Sequence, residues 1–258
     1  MKYSQKKANK KNVLVFGASR GIGKQIAINL SEKEIYNIYL FARSKKNLSK
    51  VAFEIKKNFN VEVNFFPLDI KNLISIEKVF KKIKKVDIVI NNASINVIKK
   101  FDLFSEKNFD DMMKVNFRSI FFICKFAIRN SIKNRNYLNI INISSIMGKV
   151  AQPIDSERPQ AMYISMKHAI EGLTKALCTE YAGRNLKINS ICPTYVLTDM
   201  VNKTLKNKMK MKKIIDKIPS NRIATTRDVA NAVAFLCSED SAMINGSSIM
   251  VDGGWTAY

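Results

Sequence analysis

Tyr163 and Lys167 are the two residues of this sequence whose types and spacing are best suited to proton chemistry. They lie in a predicted helix that ends near Ala182, and residues four positions apart share one face of a helix, about one turn apart. A free tyrosine has a pKa near ~10, and an ammonium beside it favours the phenolate and lowers that pKa. The pair could therefore exchange a proton near neutral pH, although the same spacing occurs on many helices whose Tyr and Lys only face solvent.

A glycine-rich turn, GASRGIG, occupies residues 17–23. The apolar run at 12–16 before it predicts a buried strand, and a helical pattern follows at 24–34. A turn between a strand and a helix presents free backbone N–H groups and a helix N-terminus to a phosphate. Gly17 and Gly21 would permit close approach of a ligand, and Gly23 would let the helix pack near the strand. The turn therefore predicts a dinucleotide site.

The second predicted strand, at residues 37–42, ends at Arg43. In dinucleotide folds the end of this strand meets the adenosine ribose, where an acid binds the 2′-hydroxyl of NAD and a base suits the 2′-phosphate of NADP. Arg43 and Arg20 supply two bases, and the arginine fork matches phosphate geometry. We therefore predict NADP(H) as the preferred cofactor, with NAD(H) still possible.

Strands and helices alternate along the rest of the chain. Further strands are predicted at 61–66, 86–90, 138–143, 187–191 and 247–251, and helices at 45–58, 73–84, 107–135, 163–182, 198–213 and 226–237. This order predicts an α/β fold of the doubly wound Rossmann type, with a parallel seven-stranded sheet, helices on both faces and ligands at the carboxyl ends of the strands. A polar tail at 1–11 and a single catalytic domain at 12–258 are expected.

The composition argues against several classes of protein. No apolar run of the 258 residues approaches the roughly 18 residues of a membrane span. The lysine-rich N-terminus has no apolar segment, so neither a signal peptide nor an anchor is predicted and a cytoplasmic location is expected. Four scattered cysteines without a CxxC pair indicate reduced thiols. The single histidine, His168, cannot form a histidine metal cluster, so no metal is predicted.

The formal net charge of +23 could indicate a nucleic-acid or acidic-protein partner. The lysines are spread along the chain, and the abundant Lys, Asn and Ile share AT-rich codons, so genome composition is the preferred explanation. No basic run is interleaved with stacking aromatic residues, and a nucleic-acid partner is therefore not expected.

The motifs occur in an order that resembles the short-chain dehydrogenase/reductase family over about residues 12–255. They are GASRGIG at 17–23, NNAS at 91–94, VN at 115–116, ISS at 143–145, YISMK at 163–167, PT-x-x-x-TD at 193–199 and VDGG at 251–254. The resemblance implies an oxidoreductase of a small-molecule carbonyl or alcohol substrate, in which the cofactor supplies the hydride. It also implies a homotetramer packed through the predicted helices at 107–135 and 163–182.

The resemblance further implies a catalytic tetrad. Tyr163 would be the acid/base, and Lys167 would lower its pKa and hold the nicotinamide ribose. Ser145 would orient the substrate carbonyl, and Asn116 would hold a water in a proton relay. The positions implied to bind the cofactor are Gly17, Ser19, Arg20, Gly21, Ile22, Gly23, Arg43, Asp69, Ile70, Asn91, Ala93, Tyr163, Lys167, Pro193, Val196 and Thr198.

Four departures from the family pattern bear on the substrate. Phe16 replaces the usual Thr before the first glycine, so one hydrogen bond that holds the turn is expected to be absent. Ser94 and Thr194 stand where the family usually has glycine. The segment at 146–162 is longer than usual, and it contains three charged residues that could overhang the substrate: Asp155, Glu157 and Arg158.

Interconversion of a ketone and a secondary alcohol is the expected reaction. The family's enoyl reductases separate Tyr and Lys by six residues rather than three, and its epimerases usually carry GxxGxxG, so both branches are disfavoured. A 3-oxoacyl group on an acidic acyl carrier protein and a sugar or surface-polysaccharide precursor remain alternative substrates. A catalytically idle nucleotide-binding protein is the non-enzyme alternative, against which the complete tetrad argues.

Overall fold

The computed structural model describes residues 10–151, 158–198 and 207–257. Its strands are β1 (Lys11–Phe16), β2 (Tyr36–Ala42), β3 (Val63–Pro67), β4 (Ile88–Asn91), β5 (Leu138–Ile143), β6 (Leu186–Pro193) and β7 (Ser248–Val251). They form one sheet in the order β3-β2-β1-β4-β5-β6-β7, in which every neighbouring pair is parallel. The predicted seven-stranded parallel sheet is confirmed.

Helices cover both faces of this sheet, as predicted. They are α1 (Gly21–Ser31), α2 (Lys45–Asn58), α3 (Leu73–Lys82), α4 (Glu106–Met113), α5 (Ser119–Asn134), α6 (Ala161–Glu180), α7 (Lys208–Ile215) and α8 (Thr226–Cys237). Successive side chains of a strand point to opposite faces. Accordingly, Val13 and Val15 of β1 pack in one apolar cluster with α1, α2 and α8, whereas Leu14 and Phe16 pack in a second cluster with α3, α5 and α6.

Most predicted elements agree with the structure to within a few residues, and two differences matter for the site. Helix α1 begins at Gly21, inside the glycine turn, so the turn itself provides the helix N-terminus. The helix predicted at 107–135 is divided into α4 and α5 by a π-helical turn at Lys114–Arg118. Part of the helix predicted at 198–213, namely 199–206, and residues 1–9 of the predicted tail lie outside the described residues. No helix in the described ranges is long and apolar enough to cross a membrane.

A row of aromatic side chains crosses the ends of β1, β2 and β3 beside the glycine turn. Phe16, Phe41 and Phe66 are paired in register, and their rings stack with centroids 4.7 Å and 5.4 Å apart. Phe16 is 1% exposed. Backbone contacts hold the turn, because the Gly17 N–H donates to the Phe41 carbonyl at 2.7 Å and Asn92 Nδ2 donates to the Gly17 carbonyl at 3.0 Å. Buried aromatic packing thus occupies the position where the family usually has a threonine.

Replacement of Phe16 should destabilise the protein strongly. Phe16→Ala removes a buried ring and its stacking contact with Phe41, so we expect the free energy of unfolding to fall by about 3–5 kcal/mol in chemical denaturation. Phe53→Ala is the matched control, because Phe53 on α2 is 70% exposed, and it should change stability by less than about 0.5 kcal/mol. Equal losses in the two variants would contradict a structural role for the aromatic row.

Candidate active site

The carboxyl ends of the central strands open into a cleft of about 780 Å³, within the usual range for small-molecule sites. β1 lies between β2 and β4, so the order of strands reverses direction at this point of the sheet. In open α/β sheets, such a switch point is where ligands bind. Gly17 after β1 and Ala93 after β4 both line the cleft.

The glycine turn allows unusually close contacts at the bottom of the cleft. Gly17 has φ +84°, and a Cβ there would lie 2.8 Å from the backbone of Ala93. A Cβ on Gly23 would lie 2.3 Å from the Gly17 carbonyl oxygen. Side chains at either position would push the turn away from β4 or from α1. The free N–H groups at the start of α1 therefore face the cleft at a point that suits a phosphate.

Basic side chains occupy the end of the cleft near β2. Arg43 directly follows β2, and Arg20 precedes α1 in the glycine turn; both line the cleft. Asp69, after β3, also lines this end, and its Oδ1 accepts a hydrogen bond from the Lys71 N–H at 2.9 Å. A guanidinium pair at the predicted ribose position fits a 2′-phosphate. The residues present therefore fit the dinucleotide that the sequence predicts.

The hydroxyl groups of Ser145 and Tyr163 meet at the other end of the cleft. Ser145 follows β5, Tyr163 lies in the first turn of α6, and the Ser145 hydroxyl acts on the phenol in the direction that lowers its pKa. Lys167 is one helical turn farther along, with Nζ 5.4 Å from the centre of the Tyr163 ring. Its Nζ donates to the Ile143 carbonyl at 2.9 Å. A proton donor, a second hydroxyl and an ammonium therefore converge in one place.

A family model described as enoyl-(acyl carrier protein) reductase matches residues 17–256, almost the whole chain. The protein also shares 36% identity over 253 residues with the 3-oxoacyl-[acyl-carrier-protein] reductase of Buchnera aphidicola, covering 96% of this chain and 98% of that one. The chain belongs to the short-chain dehydrogenase/reductase family. It is therefore an oxidoreductase by family, as the motifs predicted.

Two further members of the short-chain dehydrogenase/reductase family act on sugar acids by name. The 2-dehydro-3-deoxy-D-gluconate 5-dehydrogenase of Dickeya dadantii is 32% identical and covers 96% of each chain. A crystal structure of a gluconate 5-dehydrogenase from Burkholderia cenocepacia, in complex with NADP and tartrate, superposes with a TM-score of 0.88 at 25% identity and covers 97% of each chain. Both likenesses extend over the whole fold.

Most of the predicted site residues line the cleft of this short-chain dehydrogenase/reductase. They are Gly17, Ser19, Arg20, Gly21, Ile22, Arg43, Asp69, Ile70, Ala93, Ser145, Tyr163, Lys167, Pro193, Val196 and Thr198. Three predicted residues, Gly23, Asn91 and Asn116, lie outside the lining. Gly23 instead packs α1 against the turn, as its contact with Gly17 shows.

Asn91 ties the sheet to α6 rather than facing the cleft. It is 1% exposed, and its Nδ2 donates to Asn142 Oδ1 at 2.8 Å. Asn142 in turn donates to the Thr174 hydroxyl on α6 at 3.0 Å. The side chain of Asn91 thus points into the interior, and the expectation that Asn91 meets the cofactor at the strand end stays a prediction. Its neighbours Asn92 and Ala93 line the cleft instead.

The side chain of Asn116 is hydrogen-bonded to Ser94 and Ile95, which line the cleft, without lining the cleft itself. Its Nδ2 donates to the Ile95 carbonyl at 2.7 Å, and its Oδ1 accepts from the Ile95 N–H at 2.9 Å and the Ser94 hydroxyl at 3.2 Å. Both ends of the amide are therefore bonded to the segment after β4, of which Ser94 and Ile95 line the cleft. Asn116 lies in the π-helical turn, and in this structure it positions Ser94; the water relay stays a prediction.

The pKa of Tyr163 differs in direction from the sequence-based expectation. Part of the ring is accessible from the cleft, but the surrounding protein desolvates the phenol and raises its pKa to about 12. The hydrogen bond with Ser145 and the charge of Arg158 act in the opposite direction and offset only part of this effect. The expected lowering by Lys167 is not observed, because the loss of hydration outweighs nearby charge.

The ammonium group of Lys167 is buried, and this burial changes its pKa. It is 2% exposed, and burial lowers its pKa to about 8. Negative charge at Cys192 or Glu171 would oppose this shift, but burial raises the pKa of the Cys192 thiol to about 12, so Glu171 is the relevant anion.

The sequence-based reasoning did not identify Glu171. This carboxylate is 5% exposed, accepts from the Ser190 hydroxyl at 3.0 Å and pairs with Lys149 at 3.0 Å. Although burial raises the pKa of Glu171, hydrogen bonds that include one from Ser248 lower it overall. The available signal was its position four residues after Lys167, which places a carboxylate on the same buried face of the helix.

The ionisation of Lys167 can be measured directly. In protein with 13C-labelled lysine, the Cε signal of Lys167 is identified by NMR as the one missing from the spectrum of Lys167→Met. This signal should titrate near pH 8, because burial disfavours the ammonium form. Exposed lysines should titrate near ~10.4. Glu171→Gln removes a charge that favours the ammonium, so the Lys167 titration should move to lower pH. Glu180→Gln, at an exposed position of α6, is the control; identical shifts in both variants would contradict the role of Glu171.

Proposed function

We propose that this enzyme interconverts a ketone and a secondary alcohol with NADP(H), and that Tyr163 is its acid/base. The observation that carries the proposal is that Ser145 and Tyr163 line the same cleft as the glycine turn, with the Ser145 hydroxyl acting on the phenol so as to lower its pKa. Lys167 stands one helical turn behind the phenol. A carbonyl oxygen placed between the two hydroxyl groups would meet a proton donor and a second hydrogen-bond donor.

Each residue has a distinct part in the reduction. Bound NADPH supplies a hydride to the carbonyl carbon. Tyr163 donates its proton to the carbonyl oxygen as negative charge develops there, and the raised pKa keeps the phenol protonated at neutral pH. Ser145 holds the same oxygen by a hydrogen bond. The Lys167 ammonium stabilises the phenolate that remains. Oxidation of the alcohol reverses these steps, with the phenolate as base.

The cofactor would be held along the cleft by residues of the turn and of the strand ends. The N-terminus of α1 suits the pyrophosphate, and Arg20 and Arg43 suit the 2′-phosphate. Asp69 lies where it could accept a hydrogen bond from the adenine amine. The NADP in the Burkholderia relative supports the same choice of cofactor.

Removal of the Tyr163 hydroxyl should abolish hydride transfer. Tyr163→Phe lacks the proton donor, so we expect the rate of carbonyl reduction to fall by about 10²–10⁴-fold. The rate is measured as the oxidation of NADPH. NADPH affinity should remain nearly unchanged, because the ring and Lys167 remain. Tyr181→Phe, at the end of α6 and outside the cleft lining, is the matched control. Retention of most activity in Tyr163→Phe would disprove the assignment.

Arg43 should distinguish the two nicotinamide cofactors. Arg43→Ala removes a guanidinium from the predicted 2′-phosphate position, so the dissociation constant of NADPH should rise by about 10- to 100-fold and that of NADH should change little. Arg227→Ala is the control, because Arg227 is on α8 with its side chain 65% exposed. Equal weakening of NADPH and NADH in Arg43→Ala would show that Arg43 does not recognise the phosphate.

Several substrate classes fit a carbonyl reductase. Three residues separate Tyr163 from Lys167, and this spacing supports carbonyl rather than enoyl reduction despite the description of the family model. The Buchnera relative supports a 3-oxoacyl group on a carrier protein, whereas the Dickeya relative supports a sugar acid. The free cysteines, of which Cys124, Cys192 and Cys237 are buried, support action in a reducing compartment such as the cytoplasm.

A homotetramer is the proposed assembly, and α4 and α5 offer an apolar surface for it. Phe109 and Phe121 are each 44% exposed, and Phe121 contacts the rings of Phe117 and Phe122. Side chains of this kind are enriched at protein interfaces. Light scattering should give about four times the chain mass, and Phe121→Glu should reduce it. A monomeric wild-type protein would contradict the proposal.

A further inference from the structure

Four polar side chains form a row across the face of the sheet that α5 and α6 cover. Asn91, Asn142, Ser190 and Ser248 lie on β4, β5, β6 and β7, and each is paired in register with the next. The same face is otherwise apolar, as at Ile140, two residues before Asn142. Buried polar groups need hydrogen-bond partners, so this row requires specific contacts where a helix on a sheet usually buries apolar groups.

Side chains of α6 provide these contacts. Asn142 Nδ2 donates to the Thr174 hydroxyl at 3.0 Å. The Ser190 hydroxyl donates to Glu171 Oε2 at 3.0 Å, and the Ser248 hydroxyl donates to the same oxygen. Hydrogen bonds restrict distance and direction more narrowly than apolar contacts do. The polar row therefore fixes the position of α6 along the strands.

Glu171 also binds the segment that carries Ser145. Lys149 follows the short 3-10 helix after Ser145, and its Nζ pairs with Glu171 Oε2 at 3.0 Å. Within this segment the Gly148 N–H donates to the Ser145 carbonyl at 2.9 Å. Gly148 lies so close to α6 that a Cβ on it would be 2.9 Å from the Lys167 carbonyl oxygen. The ion pair and this close contact together place Ser145 relative to α6.

The ion pair is largely shielded from water. The Glu171 side chain is 6% exposed and the Lys149 side chain is 28% exposed. Removal of either partner would leave the other charge without its main compensation, at a cost that grows with burial. Lys149 belongs to the long segment before α6; two other charged residues of that segment, Asp155 and Glu157, lie outside the described residues.

We propose that Glu171 is a positioning residue for the proton transfer. Bound to the polar row and to Lys149, its carboxylate joins α6 to the segment that carries Ser145. Tyr163 and Lys167 precede Glu171 by eight and four residues on the same helix. This contact therefore decides whether the phenol and the Ser145 hydroxyl reach the same carbonyl oxygen. The proposal rests on the proposed function and adds a residue that lies outside the cleft lining.

The carboxylate of Glu171 also acts on the charge of Lys167, since it favours the ammonium form against the effect of burial. The Cys192 thiol on β6 donates to Glu171 Oε1 at 3.6 Å and stays neutral, because burial raises its pKa to about 12. Burial likewise keeps the Tyr163 phenol neutral. Lys149 is the cation beside Glu171. Removing this anion and removing this cation should therefore shift the ionisation of Lys167 in opposite directions.

The ionisation of Lys167 tests the arrangement without turnover. Lys149→Met removes the cation beside Glu171, so the 13C signal of Lys167 Cε should titrate at higher pH than in the wild type, opposite to the shift in Glu171→Gln. Glu77→Gln and Lys81→Met break an exposed ion pair on α3 and are the matched controls, which should leave the titration unchanged. Shifts of Lys149→Met and Glu171→Gln in one direction, or no shift in either, would overturn the proposal.

Steady-state kinetics separate positioning from stability. A ketone that the wild type reduces would be used, and kcat would be expressed per NADPH-binding site, so that unfolded protein is not counted. We expect Glu171→Gln and Lys149→Met each to lower kcat by about 10- to 100-fold, because small displacements of reacting groups are costly. The KM for NADPH should change by less than about threefold, since the interaction lost acts on the transition state. Unchanged kcat in both variants would overturn the proposal.

Two further variants test the ion pair as a unit. The double variant of Glu171→Gln and Lys149→Met should lose no more kcat than the more impaired single variant, because the two groups act together. Lys149→Arg keeps the cation and should retain most of the wild-type kcat. Losses that multiply in the double variant, or a loss in Lys149→Arg as large as in Lys149→Met, would contradict the proposal. Should Glu171→Gln fail to fold, the more exposed Lys149→Met decides the result.

The two experiments distinguish this proposal from the proposed function. A wild type that reduces ketones, with the same kcat in the variants, would overturn the positioning role and leave the carbonyl reductase intact. A wild type that reduces no ketone would count against the proposed function, and the titrations of Lys167 would still decide whether Glu171 and Lys149 act on this lysine.

Discussion

The side chain of Lys167 is an ammonium placed between β5 and α6 with almost none of its surface in water. Removing a charge from water is costly unless protein groups replace its hydration. The Ile143 carbonyl at the end of β5 replaces one hydrogen bond, and the Glu171 carboxylate supplies opposite charge from the next helical turn. These requirements fix the distance and the rotation of α6 relative to the sheet. Because Tyr163 is on the same helix, they also fix where the phenol meets Ser145.

The two ends of the cleft depend on different physical effects. At the dinucleotide end, close backbone contacts at Gly17 and Gly23 and an aromatic row at Phe16 shape the turn, and the charges of Arg20 and Arg43 are added at its rim. At the chemical end, burial changes the proton affinities of Tyr163 and Lys167 in opposite directions. The first end has the shape and the charge that suit a phosphate. The second keeps a phenol protonated beside a lysine that gives up its proton more readily than usual.

The sequence predicted those features that depend on local pattern. The strand–turn–helix order, the limits of α2, α8 and β5, and the gathering of residues at the carboxyl ends of parallel strands were all accessible from spacing and polarity. The side-chain directions of Asn91 and Asn116 could not be predicted from the sequence. At a strand end or in a π-helical turn, the direction of a side chain is decided by tertiary contacts.

Contacts between residues far apart in the chain, and pKa values that depend on burial, could also not be predicted from the sequence. The contact between Asn96 and Gln160 joins residues 64 positions apart, and no local pattern indicates it. The pKa of Tyr163 depends on burial, which a helix-spacing argument cannot weigh against charge. Glu171 was more accessible, since a carboxylate on an otherwise buried helical face can be recognised from periodicity.

The aromatic row at Phe16, Phe41 and Phe66 has a consequence for how this sequence can diverge. Three rings that stack across neighbouring strands form a single packing unit, so the effect of changing one depends on the identity of the other two. Threonine at position 16 would leave Phe41 facing a gap, and its hydroxyl would be harmful there unless the neighbouring strand changed as well. The residue before the first glycine should therefore change only together with its partners on β2 and β3. Related chains should carry either the whole aromatic set or none of it.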